Sequence, residues 1–129
     1  MDTLTSNERE NLARLLRERE QVLREEIREG LARIGNEGYS EQLSGTSDPG
    51  DEAMATMQSD LTNAEVARDV AELRDVLAAE RRLAAGTYGT CVDCGEAIPY
   101  ARLAAYPTAK RCVRCQEIRE ATHAPSRSR

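Results

Sequence analysis

The sequence contains no Phe and no Trp, and four Tyr are its only aromatic residues among 129. Aromatic side chains bury the largest apolar areas, so a chain without them is poorly suited to a thick globular core. Charged residues make up 32% of the chain, and the dominant residue types are Ala, Arg, Glu and Leu. This composition favours long helices that meet along a narrow apolar seam.

Long apolar runs and targeting features are also missing. No stretch approaches the ~18 apolar residues of a membrane span. The first residues have neither the basic region nor the apolar core of a secretory signal. We therefore expect a cytoplasmic protein with no membrane association. Thiols stay reduced in that compartment, which favours metal binding over disulfides for paired cysteines.

Basic residues are absent from the middle of the chain. No Lys or Arg occurs between Arg33 and Arg68, although seven acidic residues lie there: Glu37, Glu41, Asp48, Asp51, Glu52, Asp60 and Glu65. A nucleic-acid backbone would repel this segment, whereas a basic protein surface would attract it. The pattern argues against sequence-specific DNA binding and favours a protein partner.

The four cysteines stand in two pairs, Cys91-Val-Asp-Cys94 and Cys112-Val-Arg-Cys115, with 17 residues between them. Two C-x-x-C turns at this spacing can place four thiolates around one Zn²⁺. A closed shell of four thiolates leaves no position for water, so we expect structural zinc and no enzymatic activity. A redox sensor that releases zinc on oxidation is the alternative.

Two long helices are predicted before the cysteines. Thr5 and Glu8 match a capping box, and apolar residues then recur at helical spacing with Arg19 in one gap, which predicts a helix over 7–34. Gly35 and Gly38 are expected to end it, and 35–47 is expected to be a loop. A second helix is predicted over 49–85. The predicted apolar seam of the first helix consists of Leu12, Leu16, Leu23, Ile27, Leu31 and Ile34. That of the second helix consists of Ala53, Met57, Leu61, Ala64, Val70, Leu73, Leu77 and Leu83 or Ala84.

These elements predict a mainly α fold, in which a long antiparallel coiled-coil hairpin is joined to a small C4 zinc-finger base and a short C-terminal helix. The expected organisation is an N-terminal segment and hairpin over 1–86 with an acidic tip at about 35–53, a finger and C-terminal helix over 87–122, and a disordered tail over 123–129. A hairpin that buries its own seam is expected to be monomeric.

The predicted tip has the sequence Asp48-Pro-Gly-Asp51-Glu-Ala53. Helix capping alone explains these residues, because Asp48 can cap the second helix and Asp51 can complement its dipole. The alternative is functional, since two carboxylates at the end of a long stalk can reach deep into a partner.

The tip and the cysteines together resemble the DksA/TraR family of bacterial transcription factors. Asp48, Asp51 and Ala53 match the family's D-x-x-D-x-A tip, and Gly89 to Ile98 with Cys112-Val-Arg-Cys115 resembles its zinc finger. The resemblance implies binding to RNA polymerase, with the coiled coil in the secondary channel and the tip near the active site. Altered open-complex stability is the implied result. A coiled-coil and zinc-finger adaptor with another protein partner is the alternative.

The resemblance also bears on the alarmone ppGpp, which family members hold with basic residues against the polymerase. Arg68 matches one such position, whereas Asp75 and Gln116 stand where lysines are expected. A polyphosphate contact needs positive charge. We therefore expect a regulator that acts without ppGpp.

Overall fold

The computed structural model describes residues 4–44 and 49–123, with side-chain surroundings for all of these except 36–44, 49–56, 58, 59 and 123. The elements are α1 (Ser6–Ser44), α2 (Pro49–Ala85), α3 (Tyr100–Ala105) and α4 (Val113–His123). Thr90 and Ala97 form an isolated antiparallel bridge. Two compact units result, one made of Met1–Glu18 with Asp75–Arg129 and the other of Arg19–Arg74. None of the described helices is long and apolar enough to cross a membrane.

The predicted capping box at the start of α1 is confirmed. The Thr5 N–H donates to Glu8 Oε1 at 3.0 Å, and the Glu8 N–H donates to Thr5 Oγ1 at 3.0 Å. Two backbone donors that have no partner inside the helix are thereby satisfied. The short pattern of Thr and Glu was sufficient to locate this helix start.

The predicted end of α1 is wrong, because the helix continues through 35–44 to Ser44. A glycine ends a helix when it adopts positive φ, and Gly35 does not. Inside a helix a glycine costs only about 1 kcal/mol relative to Ala. The helix α2 ends at Ala85 as predicted, because Gly86 has a φ of +82° and the Thr87 N–H donates to the Arg82 carbonyl at 2.9 Å.

The unit Arg19–Arg74 is an antiparallel pair formed by α1 and α2, which confirms the predicted hairpin. The Arg19 guanidinium donates to both carboxylate oxygens of Glu72, at 2.6 and 2.8 Å. These bonds raise the pKa of Arg19 and lower the pKa of Glu72. Arg33 approaches Glu65 at 4.0 Å. Because later residues of α1 meet earlier residues of α2, the two helices run in opposite directions.

The predicted seam of α2 is wrong at Met57 and Leu61, while the predicted seam residue Ala53 lies where side-chain surroundings are outside the described part of the chain. Met57 and Leu61 are 61% and 62% exposed, whereas the polar neighbour Thr62 is buried. On α1, Leu23 is buried as predicted but Leu31 is 55% exposed. Sequence periodicity followed the most apolar stripe, whereas the structure buries Thr62, one residue after the predicted Leu61.

Gly30 explains this choice of buried face. The residue is buried in α1, and a Cβ built on it would lie 2.5 Å from Val66 Cγ2. The missing side chain therefore lets Val66 come close to the α1 backbone. This contact fixes the rotation of α2 about its own axis, which turns Thr62 inward and Leu61 outward.

We expect Gly30→Ala to destabilise the hairpin by about 1–3 kcal/mol, because the added methyl group overlaps a stiff β-branched side chain. Urea unfolding followed by circular dichroism measures the change. Gly35→Ala is the matched control: a Cβ there meets nothing within 4 Å, so helix propensity alone should stabilise by about 1 kcal/mol. Adding Val66→Ala to Gly30→Ala should restore part of the loss, and the absence of any rescue would contradict the contact.

The other unit buries Leu12, Leu16, Val76 and Ala79 from the two long helices. Within it, the Asn11 amide donates to the Tyr100 hydroxyl at 2.6 Å. These residues connect the start of α1 and the end of α2 to the cysteine-containing segment. The cysteine-containing segment is thus packed against the long helices within this unit and is not an isolated loop.

Candidate metal centre

The four cysteine sulfurs form one cluster. The Sγ atoms of Cys91, Cys94, Cys112 and Cys115 all lie within 4.8 Å of one another, and Cys94 Sγ is 3.8 Å from Cys112 Sγ. With Zn–S bonds of ~2.3 Å, a tetrahedral ion has S–S edges of about 3.8 Å. The cluster is therefore positioned to bind one metal ion, and its four soft donors fit Zn²⁺.

The two cysteine pairs reach the cluster by different backbone routes. After the first pair, Gly95 has a φ of +79°, its N–H donates to the Cys91 carbonyl at 3.0 Å, and the Cys91 N–H donates to the Glu96 carbonyl at 2.8 Å. The second pair enters α4 directly, and the Gln116 N–H donates to the Cys112 carbonyl at 2.9 Å. Only the first route needs a glycine, because only it uses positive φ.

Two contacts tie the cysteine pairs together without the metal. The Val92 N–H donates to the Lys110 carbonyl at 2.9 Å. Arg111 is buried, and its Nε donates to Asp93 Oδ2 at 2.8 Å. Sequence reasoning did not single out this ion pair, although opposite charges beside the two pairs were a visible signal.

The cluster cannot carry four negative charges unaided. Burial alone would raise the pKa of the Cys91 thiol, but the backbone N–H groups of Cys94, Cys112 and Asp93 interact with its sulfur and lower that pKa to about 6. Burial and the neighbouring sulfurs raise the pKa of Cys115 to about 12. A bound dication would offset this repulsion, which is the condition for a four-thiolate site.

Tyr88, just after the end of α2, supports the centre, and sequence reasoning missed this role. Its side chain is 4% exposed, and its hydroxyl donates to the Pro107 carbonyl at 2.8 Å. Ile98 and Leu103 are buried in the same unit. The Tyr88–Pro107 bond joins a residue before the first cysteine pair to one between the two pairs, 19 residues apart, so no local pattern could have revealed it.

Tyr88 should resist ionisation, because burial raises its pKa to about 12 even though Arg82 partly opposes the shift. The unfolded value is about 10, so the stability from the neutral phenol is complete below pH 10 and is lost as pH rises through about 12. Ultraviolet absorbance of wild type minus Tyr88→Phe should show a midpoint near 12. A midpoint near 10 would mean that Tyr88 is solvated.

The predicted tip residues lie apart from this centre in the sequence. Asp48 is outside the described residues. Asp51 and Ala53 belong to the start of α2, where the side-chain surroundings are also outside the described part of the chain. Arg68 lies in the unit Arg19–Arg74 and lines a shallow groove with Glu65 and Asp69. The sequence-based roles of these residues remain predictions.

Asp75 and Gln116 line one groove in the unit that contains the cysteines. Burial lowers the pKa of Arg82 in this groove, and its buried Nη2 has no hydrogen-bond partner among the described residues. The groove is thus mixed in charge. Its other charged lining residues are Arg102, Lys110, Arg111, Glu117 and Glu120.

Comparison with known proteins identifies the cysteine segment first. Residues 86–121 match the model of the prokaryotic dksA/traR C4-type zinc finger. An uncharacterised protein of Aquifex aeolicus strain VF5 is 43% identical over 49 residues, which are 38% of this chain and 34% of that protein. An uncharacterised 8.2 kDa protein from the gpA 5′ region of Escherichia phage P2 is 58% identical over 31 residues, 24% of this chain and 42% of that protein. Each match spans less than half of the relative.

The fold comparison extends beyond the finger. The structure of transcription factor DksA2 from Pseudomonas aeruginosa matches with a TM-score of 0.75 and 27% identity, covering 91% of this chain and 86% of that one. The matched part therefore includes both long helices as well as the cysteine segment. Residues 86–121 therefore form a dksA/traR C4-type zinc finger, and the chain as a whole is similar in fold to a DksA protein.

Proposed function

We propose that this protein is a bacterial transcription regulator that binds RNA polymerase through its secondary channel. The tip residues Asp48, Asp51 and Ala53 approach the active site there and alter the stability of the open complex. The protein acts as a cytoplasmic monomer without catalytic activity of its own. The observation that carries the proposal is the match to a transcription factor over 91% of the chain.

The dimensions of the helices support entry into a channel. The two helices contain 39 and 37 residues, and at ~1.5 Å per residue each measures about 55 Å. A helix pair is narrow enough to enter a pore that excludes a globular domain. The base-free stretch between Arg33 and Arg68 suits basic and metal-containing surroundings.

The groove that contains Asp75 and Gln116 supports action without ppGpp. Both side chains stand where the resemblance implies lysines, and Glu117 and Glu120 add negative charge to the same lining. Of the groove's cations, Arg111 is engaged by Asp93. A polyphosphate would gain less here than at a uniformly basic site.

Binding to polymerase is the direct test. We expect the purified protein to co-purify with RNA polymerase and to be displaced by another factor that occupies the secondary channel. A ribosomal promoter assay should then give the same effect with and without ppGpp. Absence of polymerase from the bound fraction, with capture of a different protein, would support the adaptor alternative. A large enhancement by ppGpp would contradict ppGpp-independent action.

A further inference from the structure

An apolar stripe lies on the solvent-facing side of α2. It consists of Met57 and Leu61, which are 61% and 62% exposed, and Ala64, which is also exposed. Residues four apart are neighbours on a helix surface, so the two large side chains form one patch. We call these three residues the outer stripe. Single exposed apolar residues are ordinary, whereas a contiguous exposed apolar patch is a feature of interaction sites.

The outer stripe is exposed because of how α2 is rotated. Val66 faces Gly30, and at 100° per residue Leu61 points about 140° away from Val66. The rotation buries the polar Thr62 and exposes its neighbour Leu61. The observed rotation therefore leaves an apolar face of α2 exposed to solvent.

The charges beside the outer stripe indicate what it contacts. Asp60 and Glu65 are exposed next to Leu61, and the first basic residue after the stripe is Arg68. A complementary surface would have an apolar centre and a basic edge. A second copy of this chain fits poorly, because pairing two outer stripes would bring the acids of both copies together.

We propose that the outer stripe docks into an apolar, basic-edged groove in the wall of the polymerase channel. This inference rests on the proposed function and adds a contact surface distinct from the tip residues. The outer stripe holds the side of the hairpin against the channel wall. Burial of its apolar side chains contributes the affinity for polymerase, and the neighbouring acidic side chains steer the approach.

The experiment compares polymerase binding by wild type, Met57→Gln/Leu61→Gln and Leu31→Gln. Leu31 is the matched control, because it is 55% exposed on the other helix. We expect the double variant to bind about 30-fold more weakly, from about 1 kcal/mol lost at each residue, and Leu31→Gln to bind within about twofold of wild type. Thermal unfolding should be unchanged for both variants, since the replaced side chains are exposed.

The outcomes separate the inference from the proposed function. If wild type does not bind polymerase, both fail. If wild type binds and the double variant binds equally well, or if Leu31→Gln causes the same loss, only the outer stripe is overturned. Sedimentation adds a further check: wild-type dimers that Leu61→Gln converts to monomers would assign the stripe to self-association and overturn it.

Discussion

Replacing Asp48 and Asp51 together by Asn is expected to reduce the effect on transcription at least tenfold while leaving polymerase affinity within about threefold of wild type. Hydrogen bonds to charged groups contribute about 1.5–3 kcal/mol each, so losing two should reduce the effect at least tenfold. Asn is also a strong N-cap residue. The start of α2 at Pro49 should therefore survive the change. In vitro transcription from a ribosomal promoter, with affinity measured on the same preparations, tests this expectation.

The control must remove the same charge elsewhere. Glu10→Gln/Glu29→Gln removes two exposed acids from α1 and should leave both affinity and transcription unchanged. Equal loss of activity in both double variants would indicate a general charge effect. Full activity in the Asp48→Asn/Asp51→Asn variant would leave helix capping as the sufficient explanation of the tip sequence.

Features that depend on neighbours in sequence were predictable. The Thr5–Glu8 capping box formed its two bonds, and the two cysteine pairs converged on one cluster. In both cases the spacing along the chain determines which atoms can meet, because a helical turn or a tight turn brings them together. The antiparallel hairpin followed equally directly from two apolar patterns joined by a short connection.

Features that depend on distant residues were not predictable. Which face of α2 is buried was decided by Val66 meeting the bare backbone of Gly30, a contact between helices that periodicity does not register. Tyr88 and Pro107 meet across the finger for the same reason. The predicted end of α1 was wrong because a glycine can either end a helix or continue it. Gly86 adopts positive φ and ends α2, whereas Gly35 lacks positive φ and α1 continues past it.

Removing the metal should unfold the cysteine segment and spare the hairpin. The segment is small, with Tyr88, Ile98 and Leu103 as its largest buried hydrophobic side chains. Below about 40 residues, a core of this kind usually needs a metal or disulfides. Structural zinc supplies about 10–16 kcal/mol of apparent binding free energy in finger peptides, more than the Val92–Lys110 and Arg111–Asp93 contacts can replace.

The unit Arg19–Arg74 has no such dependence. Its contacts among the described residues include the Arg19–Glu72 ion pair, the Gly30–Val66 approach and buried Leu23, and none of these three involves a cysteine. Hydrogen exchange measured by mass spectrometry should therefore show a split response to chelation. Peptides covering 87–122 should lose protection, whereas those within 57–74 should keep it, and circular dichroism should retain most of its helical signal.

A variant separates loss of the metal from side effects of the chelator. Cys112→Ser removes one sulfur from the cluster and should reproduce the split pattern without chelator, since serine is a poor zinc ligand at neutral pH. Readdition of Zn²⁺ should restore protection to the chelated wild type but not to Cys112→Ser. Unchanged protection of 87–122 after verified zinc removal would show that the segment folds without its metal. Collapse of 57–74 would instead show that the hairpin depends on the finger, contrary to the contacts within it.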